Sequence, residues 1–274
     1  MLQYFFKQEY KIKITDLILN QDRLNLIRTQ NNGDFENKIE RVLQDILDNS
    51  DTELPSMIKL FHLIDSSTNQ DSDLLDNYSI GERIIEVINT SEQLSDAIRL
   101  LEVYPFVGFD SEQKPTFKKG QPSFGISLIQ LATRSKCYLI HIKQIKDLKP
   151  LMKILGDDKI IKIGTGLKGD NQALFNQFKL RLQSIIDLEN IFKKLSSKNQ
   201  MGAKRAASLI LNLNLQKSKS MSRSNWENKE LSNAQIKYAS EDATVVFDVM
   251  EKMLQQYPFV LNIMPSFFQK LYIK

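Results

Sequence analysis

The sequence predicts an α/β or α+β fold in which a mixed β-sheet is flanked by helices, and two observations lead to this prediction. Apolar runs at residues 107–112, 126–132 and 137–142 come in quick succession, which is typical of an antiparallel meander. Shorter apolar runs then alternate with amphipathic helical segments from residue 145 onward. Such an alternation gives a sheet covered by helices, because each element must bury its apolar face against another layer.

Local signals predict the remaining elements. Ile84, Ile85 and Val87 indicate a short strand that leads into the sheet. A helix is predicted from Thr90 to about Glu102. Its start is marked by hydroxyl and acidic residues at residues 90–93, which have the spacing of a helix cap. Periodicity predicts further helices at residues 145–155, 167–178 and 233–254, and further strands at residues 160–164 and 184–188.

The composition is that of an ordinary globular protein. With 274 residues, of which 42% are hydrophobic and 26% charged, the chain has room for one large domain or for one ordinary domain and a smaller one. No apolar stretch approaches the roughly 18 residues that span a bilayer, so we expect a soluble protein without a membrane partner. Cys137 is the single cysteine, which excludes an internal disulfide framework and favours a reducing compartment. We therefore expect a nuclear or cytoplasmic protein, and Lys7, Lys11 and Lys13 leave a mitochondrial matrix address open.

Residues 1–80 are predicted to form a helical N-terminal extension, separate from a domain at residues 84–274. Within the extension, apolar residues at 35, 39, 42, 43, 46 and 47 have the spacing of an amphipathic helix. Residues 65–73 are polar and acidic, as expected for a linker. No motif in the extension identifies a family. Its role stays open between binding a protein partner, binding a substrate and packing on its own chain.

Charge is distributed unevenly along the chain. Residues 1–84 sum to about −6 and residues 85–274 to about +10, within a net charge of +4. A basic module favours a polyanionic partner, although a solvated lysine-rich surface would have the same composition.

Asp110 and Glu112 stand at the end of the strand predicted at residues 107–112. The period of two in a strand places both carboxylates on one face. Two like charges that are buried side by side are unfavourable unless a cation neutralises them. The pair therefore indicates a metal ion with hard oxygen ligands.

Two later segments carry further candidate ligands. Asp170 follows the glycine-rich turn at residues 164–169, where it either caps a helix or turns its carboxylate toward the strand-end pair. The glycine spacing of this turn differs from that of a dinucleotide-binding loop. Tyr238 and Asp242 are four residues apart on a predicted helix, so their side chains share one face.

These residues form an ordered pattern, with D-x-E at a strand end, D at a strand-to-helix turn and Y-x-x-x-D on a late helix. The pattern resembles the DEDD superfamily of 3′–5′ exonucleases. It is similar to the tyrosine subclass, because Lys237 stands where the histidine subclass has its histidine. The likeness extends over about residues 84–256 and is closest to the Werner-syndrome-type exonuclease domain and ribonuclease D. Residues 129–131, 136–142, 219–220 and 224–226 also look like that branch.

The resemblance implies a ribonuclease-H-like fold, two Mg²⁺ or Mn²⁺ ions and the release of nucleoside 5′-monophosphates from the 3′ end of a nucleic acid. By analogy, Asp110 contacts both ions, and Glu112 and Asp242 hold the ion that activates water. Asp170 then acts on the other ion, and Tyr238 orients the attacking water. Independently of the resemblance, four carboxylates without a His or Cys ligand suit Mg²⁺ or Mn²⁺ rather than zinc.

A basic loop precedes the last long helix. Lys217, Lys219 and Arg223 are candidates for phosphate contacts along a nucleic-acid strand, with a solvated basic loop as the alternative. Trp226 is interpreted first as a packing anchor and second as a stacking platform for a base.

Two function classes remain open from the sequence. The five intact motif residues favour a 3′–5′ exonuclease, with DNA slightly preferred over RNA because of the Werner-type likeness. The alternative is a nuclease-fold binding or assembly protein that docks a partner through residues 1–80.

Overall fold

A mixed β-sheet of six strands forms the centre of the computed structural model. The structure describes residues 75–116, 123–195 and 202–272, together with residues 37, 38, 41, 42, 58, 59 and 61. The strands are β1 (Ile84–Ile88), β2 (Phe106–Gln113), β3 (Ile126–Ala132), β4 (Lys136–His141), β5 (Ile161–Gly164) and β6 (Ile185–Asp187).

The sheet has the strand order β1-β4-β3-β2-β5-β6. β2, β3 and β4 pair antiparallel, which confirms the predicted meander. β1 joins β4 in parallel, and β5 and β6 extend the other side in parallel with β2. β2 is therefore an interior strand with neighbours on both sides.

Helices cover the sheet, as the sequence predicts. The α-helices are α1 (Ser91–Leu101), α2 (Lys149–Leu155), α3 (Lys168–Phe178), α4 (Leu188–Leu195), α5 (Ala203–Ala206), α6 (Lys219–Ser222), α7 (Asn233–Gln256) and α8 (Ser266–Tyr272). Residues 75–272 also contain a π-helical turn (Ala207–Leu211) and a 3₁₀ helix (Pro258–Ile263). No helix in the described part of the chain combines the length and apolar character needed to cross a bilayer.

Local capping chemistry sets the start of two helices. Thr90 and Gln93 form a reciprocal capping box at α1, in which each side chain bonds the other residue's backbone N–H. Ser232 and Gln235 form the same arrangement at the start of α7. These hydroxyl and amide groups satisfy backbone donors that a helix start leaves without an intrahelical partner.

Most predicted elements differ from the observed ones by one or two residues at an end, and two elements show a clear local cause for the difference. The helix predicted at residues 145–155 begins only at Lys149, because Pro150 has the φ angle of a first helical turn and Asp147 accepts a hydrogen bond from the Lys149 amide. The strand predicted at residues 184–188 covers only Ile185–Asp187. Ser184 has a φ of 47°, outside the extended region, and Leu188 already belongs to α4.

The long helix α7 packs very closely on β2. A Cβ atom added to Gly108 would lie 2.1 Å from the Ala243 carbonyl oxygen and 3.1 Å from the Phe247 Cβ. The side chains next to Gly108 in the sheet are also small: Ala132 stands directly opposite it on β3, and Cys137 stands opposite Ala132 on β4. The backbone of α7 can therefore lie against the sheet at this point.

Described residues of the N-terminal extension pack against the C-terminal half of the chain. Val42 and Phe61 are helical, and their side chains are only 1% and 3% exposed. The Phe61 ring centroid lies 6.5 Å from that of Phe192 and 5.7 Å from that of Tyr257. The predicted linker at residues 65–73 and most of the predicted helix near residue 42 lie outside the described residues.

We expect Gly108→Ala to lower the free energy of unfolding by roughly 1–3 kcal/mol or more, the cost of overpacking a dense interior. The reason is that the new methyl group overlaps the Ala243 carbonyl oxygen. Urea unfolding monitored by circular dichroism measures this change. Gly169→Ala is the matched control: it lies within α3, nothing stands within 4 Å of the added Cβ, and helix propensity predicts stabilisation by roughly 0.5–1 kcal/mol. Equal stability of the two variants would contradict the close packing of α7.

Candidate active site

Three carboxylates converge where α7 crosses the end of β2. Asp110, Glu112 and Asp242 each offer an oxygen, and these oxygens all lie within 4.8 Å of one another. Asp110 and Glu112 share a face of β2, as the strand period predicts. Asp242 comes from α7, one residue before the Ala243 carbonyl that lies over Gly108. The close packing of helix on sheet therefore assembles this cluster.

Asp170 lies beside the cluster without being one of its three members. It stands in the first turn of α3, and its Oδ1 accepts a hydrogen bond of 2.5 Å from the Ser111 hydroxyl. Its charge contributes to raising the pKa of Asp110, so the two carboxylates are electrostatically close. Of the two roles open from the sequence, the structure thus favours a carboxylate turned toward β2 over a helix cap.

The turn that carries Asp170 is held by a residue that sequence reasoning missed. Asp187, at the end of β6, accepts hydrogen bonds from the backbone N–H groups of Gly166 at 3.0 Å and Leu167 at 3.1 Å. Gly164 is needed here as well, because an added Cβ would lie 2.7 Å from the Phe109 carbonyl oxygen. An acidic residue near the end of the last predicted strand is a signal that could have pointed to Asp187.

Tyr238 lies on α7 one turn before Asp242, and its side chain is 9% exposed. Its phenol lies close enough to the Asp242 carboxylate for each group to shift the pKa of the other. Burial raises the pKa of Tyr238 well above its usual range, and the charges of Asp242 and Glu112 add to this effect. The phenol therefore stays protonated at the edge of the carboxylate cluster.

Burial and mutual repulsion raise the pKa values of the clustered carboxyls. Desolvation and then the charge of Asp110 raise the pKa of Glu112 to about 9. Desolvation is also the largest cause of the raised pKa values of Asp110 and Asp242. Without a compensating cation, Asp110 and Glu112 hold protons at neutral pH, because their pKa values are raised to about 8 and about 9.

The cluster fits a hard divalent cation. Its three members supply only carboxylate oxygens, the donors that Mg²⁺ and Mn²⁺ prefer, and Asp170 adds a fourth carboxylate nearby. A bound cation would also remove the repulsion that keeps these groups protonated. The chemistry of the donors and their electrostatics thus point to the same class of ligand.

Lys217 contacts the cluster directly. Its ammonium group forms an ion pair with the buried carboxylate of Asp242 and lies 5.5 Å from the centroid of the Tyr238 ring. The sequence predicts Lys217 as a candidate phosphate contact in the basic loop before Trp226. The structure places its ammonium group against Asp242, where it lowers the pKa of that carboxyl in opposition to burial.

The segment before Lys217 is tied to the residues that precede β1. The Tyr78 backbone N–H donates to the Asn214 carbonyl at 2.9 Å, and the Gln216 side chain donates to Asn77 at 2.8 Å. These contacts join positions more than 130 residues apart, so local sequence patterns gave no signal for the placement of Lys217.

The other predicted nucleic-acid residues separate into two groups. Lys219 and Arg223 are exposed at the start and the end of α6. Trp226 is fully buried, and its ring centroid lies 6.1 Å from that of Tyr238. Because a buried ring does not present a face to an incoming base, the structure favours the packing interpretation of Trp226, the first of the two that the sequence gave.

An ionic contact that sequence reasoning also missed holds the loop around Trp226. Glu227 lies between two lysines, with Lys114 at 3.0 Å and Lys143 at 3.2 Å. Lys114 follows β2, and Lys143 follows β4. The loop is thereby fixed to the same end of the sheet as the carboxylates.

We expect the metal-free protein to lose stability as the pH rises from about 5 to about 9. The folded-state pKa of Glu112 lies above its ordinary value of 4.5, so the folded state binds protons more tightly than the unfolded state across this window. Each such carboxyl lowers the free energy of unfolding by up to about 1.4 kcal/mol per pH unit within this window. Urea unfolding in EDTA at several pH values measures the slope.

Glu112→Gln should flatten this slope, because the amide carries no titrating proton. The control is Glu102→Gln, which changes an exposed carboxylate at the end of α1 and should leave the slope as it is. A slope that is identical in the wild type and in Glu112→Gln would contradict the electrostatic account of the cluster.

Comparison with known proteins places the chain in a family. A model of the 3′–5′ exonuclease family matches residues 85–258. The chain is 34% identical over 150 residues to the bifunctional 3′–5′ exonuclease/ATP-dependent helicase WRN of Mus musculus, a match that covers 54% of this chain and 11% of that protein. It is 26% identical over 174 residues to a 3′–5′ exonuclease of Arabidopsis thaliana, with 60% of each protein covered.

Solved structures show the same fold. The crystal structure of Escherichia coli RNase D superimposes with a TM-score of 0.59 at 23% identity, covering 69% of this chain and 49% of that chain. This likeness confirms the predicted ribonuclease-H-like α/β fold. The chain thus spans only part of these relatives, 11% of the length of WRN and 60% of the length of the Arabidopsis thaliana exonuclease. Because the family model matches more than half of the chain, this chain belongs to the 3′–5′ exonuclease family.

Proposed function

We propose that this chain removes nucleoside 5′-monophosphates from nucleic-acid 3′ ends with the help of two Mg²⁺ or Mn²⁺ ions. The observation that carries the proposal is the convergence of Asp110, Glu112 and Asp242 within 4.8 Å, beside Asp170 and Tyr238. Family membership supports the same reaction. We propose DNA as the preferred substrate over RNA because of the likeness to the Werner-type exonuclease.

The four carboxylates would hold the cations. Asp110, Glu112 and Asp242 form the nearest set of oxygen donors, and Asp170 would complete the set from the first turn of α3. When bound, such a pair of ions activates a water molecule and stabilises the charge that develops on the leaving oxygen. The contribution of the chain is to fix these donors on two rigid elements, β2 and α7.

Tyr238 would orient the attacking water rather than take its proton. Burial, the largest cause of its raised pKa, keeps the phenol protonated at neutral pH. A protonated phenol can accept a hydrogen bond from water through its oxygen while donating to the carboxylate. The side chain is held in this position by its packing against Trp226.

Lys217 would compensate negative charge at the same place. Its ammonium group pairs with Asp242 and faces the Tyr238 ring, so the loop before α6 brings a fixed positive charge to the cluster. A scissile phosphate that approaches the carboxylates adds further negative charge. Lys217 would therefore act at the reaction centre, whereas the exposed Lys219 and Arg223 would contact the strand farther away.

We expect Asp110→Ala to abolish nuclease activity, because the variant removes a central oxygen donor, and Tyr238→Phe to lower kcat by about 10²-fold or more. The measurement is digestion of 5′-labelled 3′-recessed DNA and single-stranded RNA with Mg²⁺ or Mn²⁺. A ladder that shortens from the 3′ end supports the proposal, and the faster substrate gives the preferred nucleic acid.

The matched control is Glu241→Gln, which changes a buried carboxyl adjacent to Asp242 but outside the cluster and should retain near wild-type activity. Absence of a ladder on both substrates from a folded wild-type protein would contradict the proposal. That result would favour the alternative of a binding or assembly protein.

We expect Lys219→Ala and Arg223→Ala each to weaken single-stranded nucleic-acid binding. Each should reduce the slope of log K against log salt by about 1, because each removes one phosphate contact. Fluorescence anisotropy at several salt concentrations, in the inactive Asp110→Ala background, measures the slope. Lys153→Ala on α2 is the control, since Lys153 is exposed and pairs with Glu102 instead. Unchanged slopes in both loop variants would show that Lys219 and Arg223 belong to a solvated basic loop and do not contact phosphate.

A further inference from the structure

Gln130 is a fully buried amide whose polar atoms lack partners. Its side chain is 0% exposed, and within the described part of the chain neither its Oε1 nor its Nε2 has a hydrogen-bond partner. A buried amide without partners is costly, because it has left water and regained no hydrogen bond. Such groups are uncommon in native interiors, and each calls for an explanation.

The sheet register places this amide next to the carboxylate cluster. Gln130 on β3 stands directly opposite Asp110 on β2, and residues that oppose each other in an antiparallel pair point to the same face. Leu128 stands opposite Glu112 in the same way, and Ala132 opposite Gly108. Gln130 is therefore the polar side chain that β3 contributes to this face.

Asp110 has room for another hydrogen-bond donor. Its Oδ1 accepts from the Ser111 backbone N–H at 2.9 Å. An ionised carboxylate has about four acceptor sites, so further donors can fix its orientation. Directly opposed side chains in a sheet have Cβ atoms roughly 5 Å apart, a separation that a glutamine amide can bridge.

We propose that Gln130 is a positioning residue whose amide donates a hydrogen bond to the Asp110 carboxylate when a cation is bound and so fixes the orientation of that carboxylate. In the metal-free protein the amide without partners lowers the free energy of unfolding. When a cation is bound to Asp110, the amide stabilises the bound state by holding the carboxylate in place. Partners of metal ligands act in this way, because they fix the direction of the ligand oxygen. The inference rests on the proposed metal site at Asp110.

The inference requires two effects of opposite sign in one variant. Gln130→Met keeps approximately the length and volume of the side chain and removes both polar atoms. Removal of an unpartnered buried amide should raise the melting temperature of the metal-free protein by about 2–4 °C. The same change should raise the Mn²⁺ dissociation constant about tenfold or more, as measured by isothermal titration calorimetry. A side chain with only a packing role would leave the Mn²⁺ dissociation constant unchanged.

Ser127→Ala is the matched control. Ser127 lies on the same strand, and its hydroxyl is also buried and without a partner in the described residues. Its position in the strand places it on the opposite face from Gln130. Ser127→Ala should therefore leave the Mn²⁺ dissociation constant at the wild-type value.

Three results would overturn the inference. The first is wild-type Mn²⁺ affinity in Gln130→Met, and the second is an equal loss of affinity in Ser127→Ala. The third is a lower melting temperature of the metal-free Gln130→Met protein. If Gln130→Met does not fold, Gln130→Leu is the second apolar variant for the same measurements. Failure of the proposed metal site gives a different result. In that case the wild-type protein and Asp110→Asn would show the same Mn²⁺ titration.

Discussion

The contact between α7 and β2 at Gly108 is the constraint on which the site depends. The Ala243 carbonyl lies where any larger side chain at position 108 would place its Cβ. Because Asp242 directly precedes Ala243, this contact sets how far Asp242 lies from Asp110 and Glu112. Any loosening of the helix would separate the oxygens of the cluster, and a shift of about 1 Å at a reaction centre is already costly.

The same contact creates an electrostatic problem that other parts of the chain reduce. Three buried carboxylates lie together, so their pKa values are raised, and without a cation Asp110 and Glu112 retain protons at neutral pH. Lys217 offsets part of this charge through its ion pair with Asp242. The loop that carries Lys217 is held by backbone contacts to the segment before β1. The sheet, the long helix and the strand-leading segment thus jointly produce one site that favours a divalent cation.

Much of the fold could be predicted from the sequence because it depends on short-range periodicity. The apolar runs gave β3 at Ile126–Ala132 and the late helix from Asn233, each of which begins at the predicted residue. The boundaries that failed are governed by single residues: Pro150 delays the start of α2, and Ser184 adopts a positive φ before β6. Periodicity averages over several residues and does not detect such local conformations.

By itself, the sequence determined that Asp110 and Glu112 share a face and that Tyr238 and Asp242 share another, because strand and helix periods are fixed by backbone geometry. Only the tertiary structure decided which of these faces meet. It also placed Lys217 on Asp242, Asp187 under the turn before Asp170, and Gln130 opposite Asp110. These contacts join residues far apart in the chain. They depend on how the layers pack, a property that local patterns do not encode.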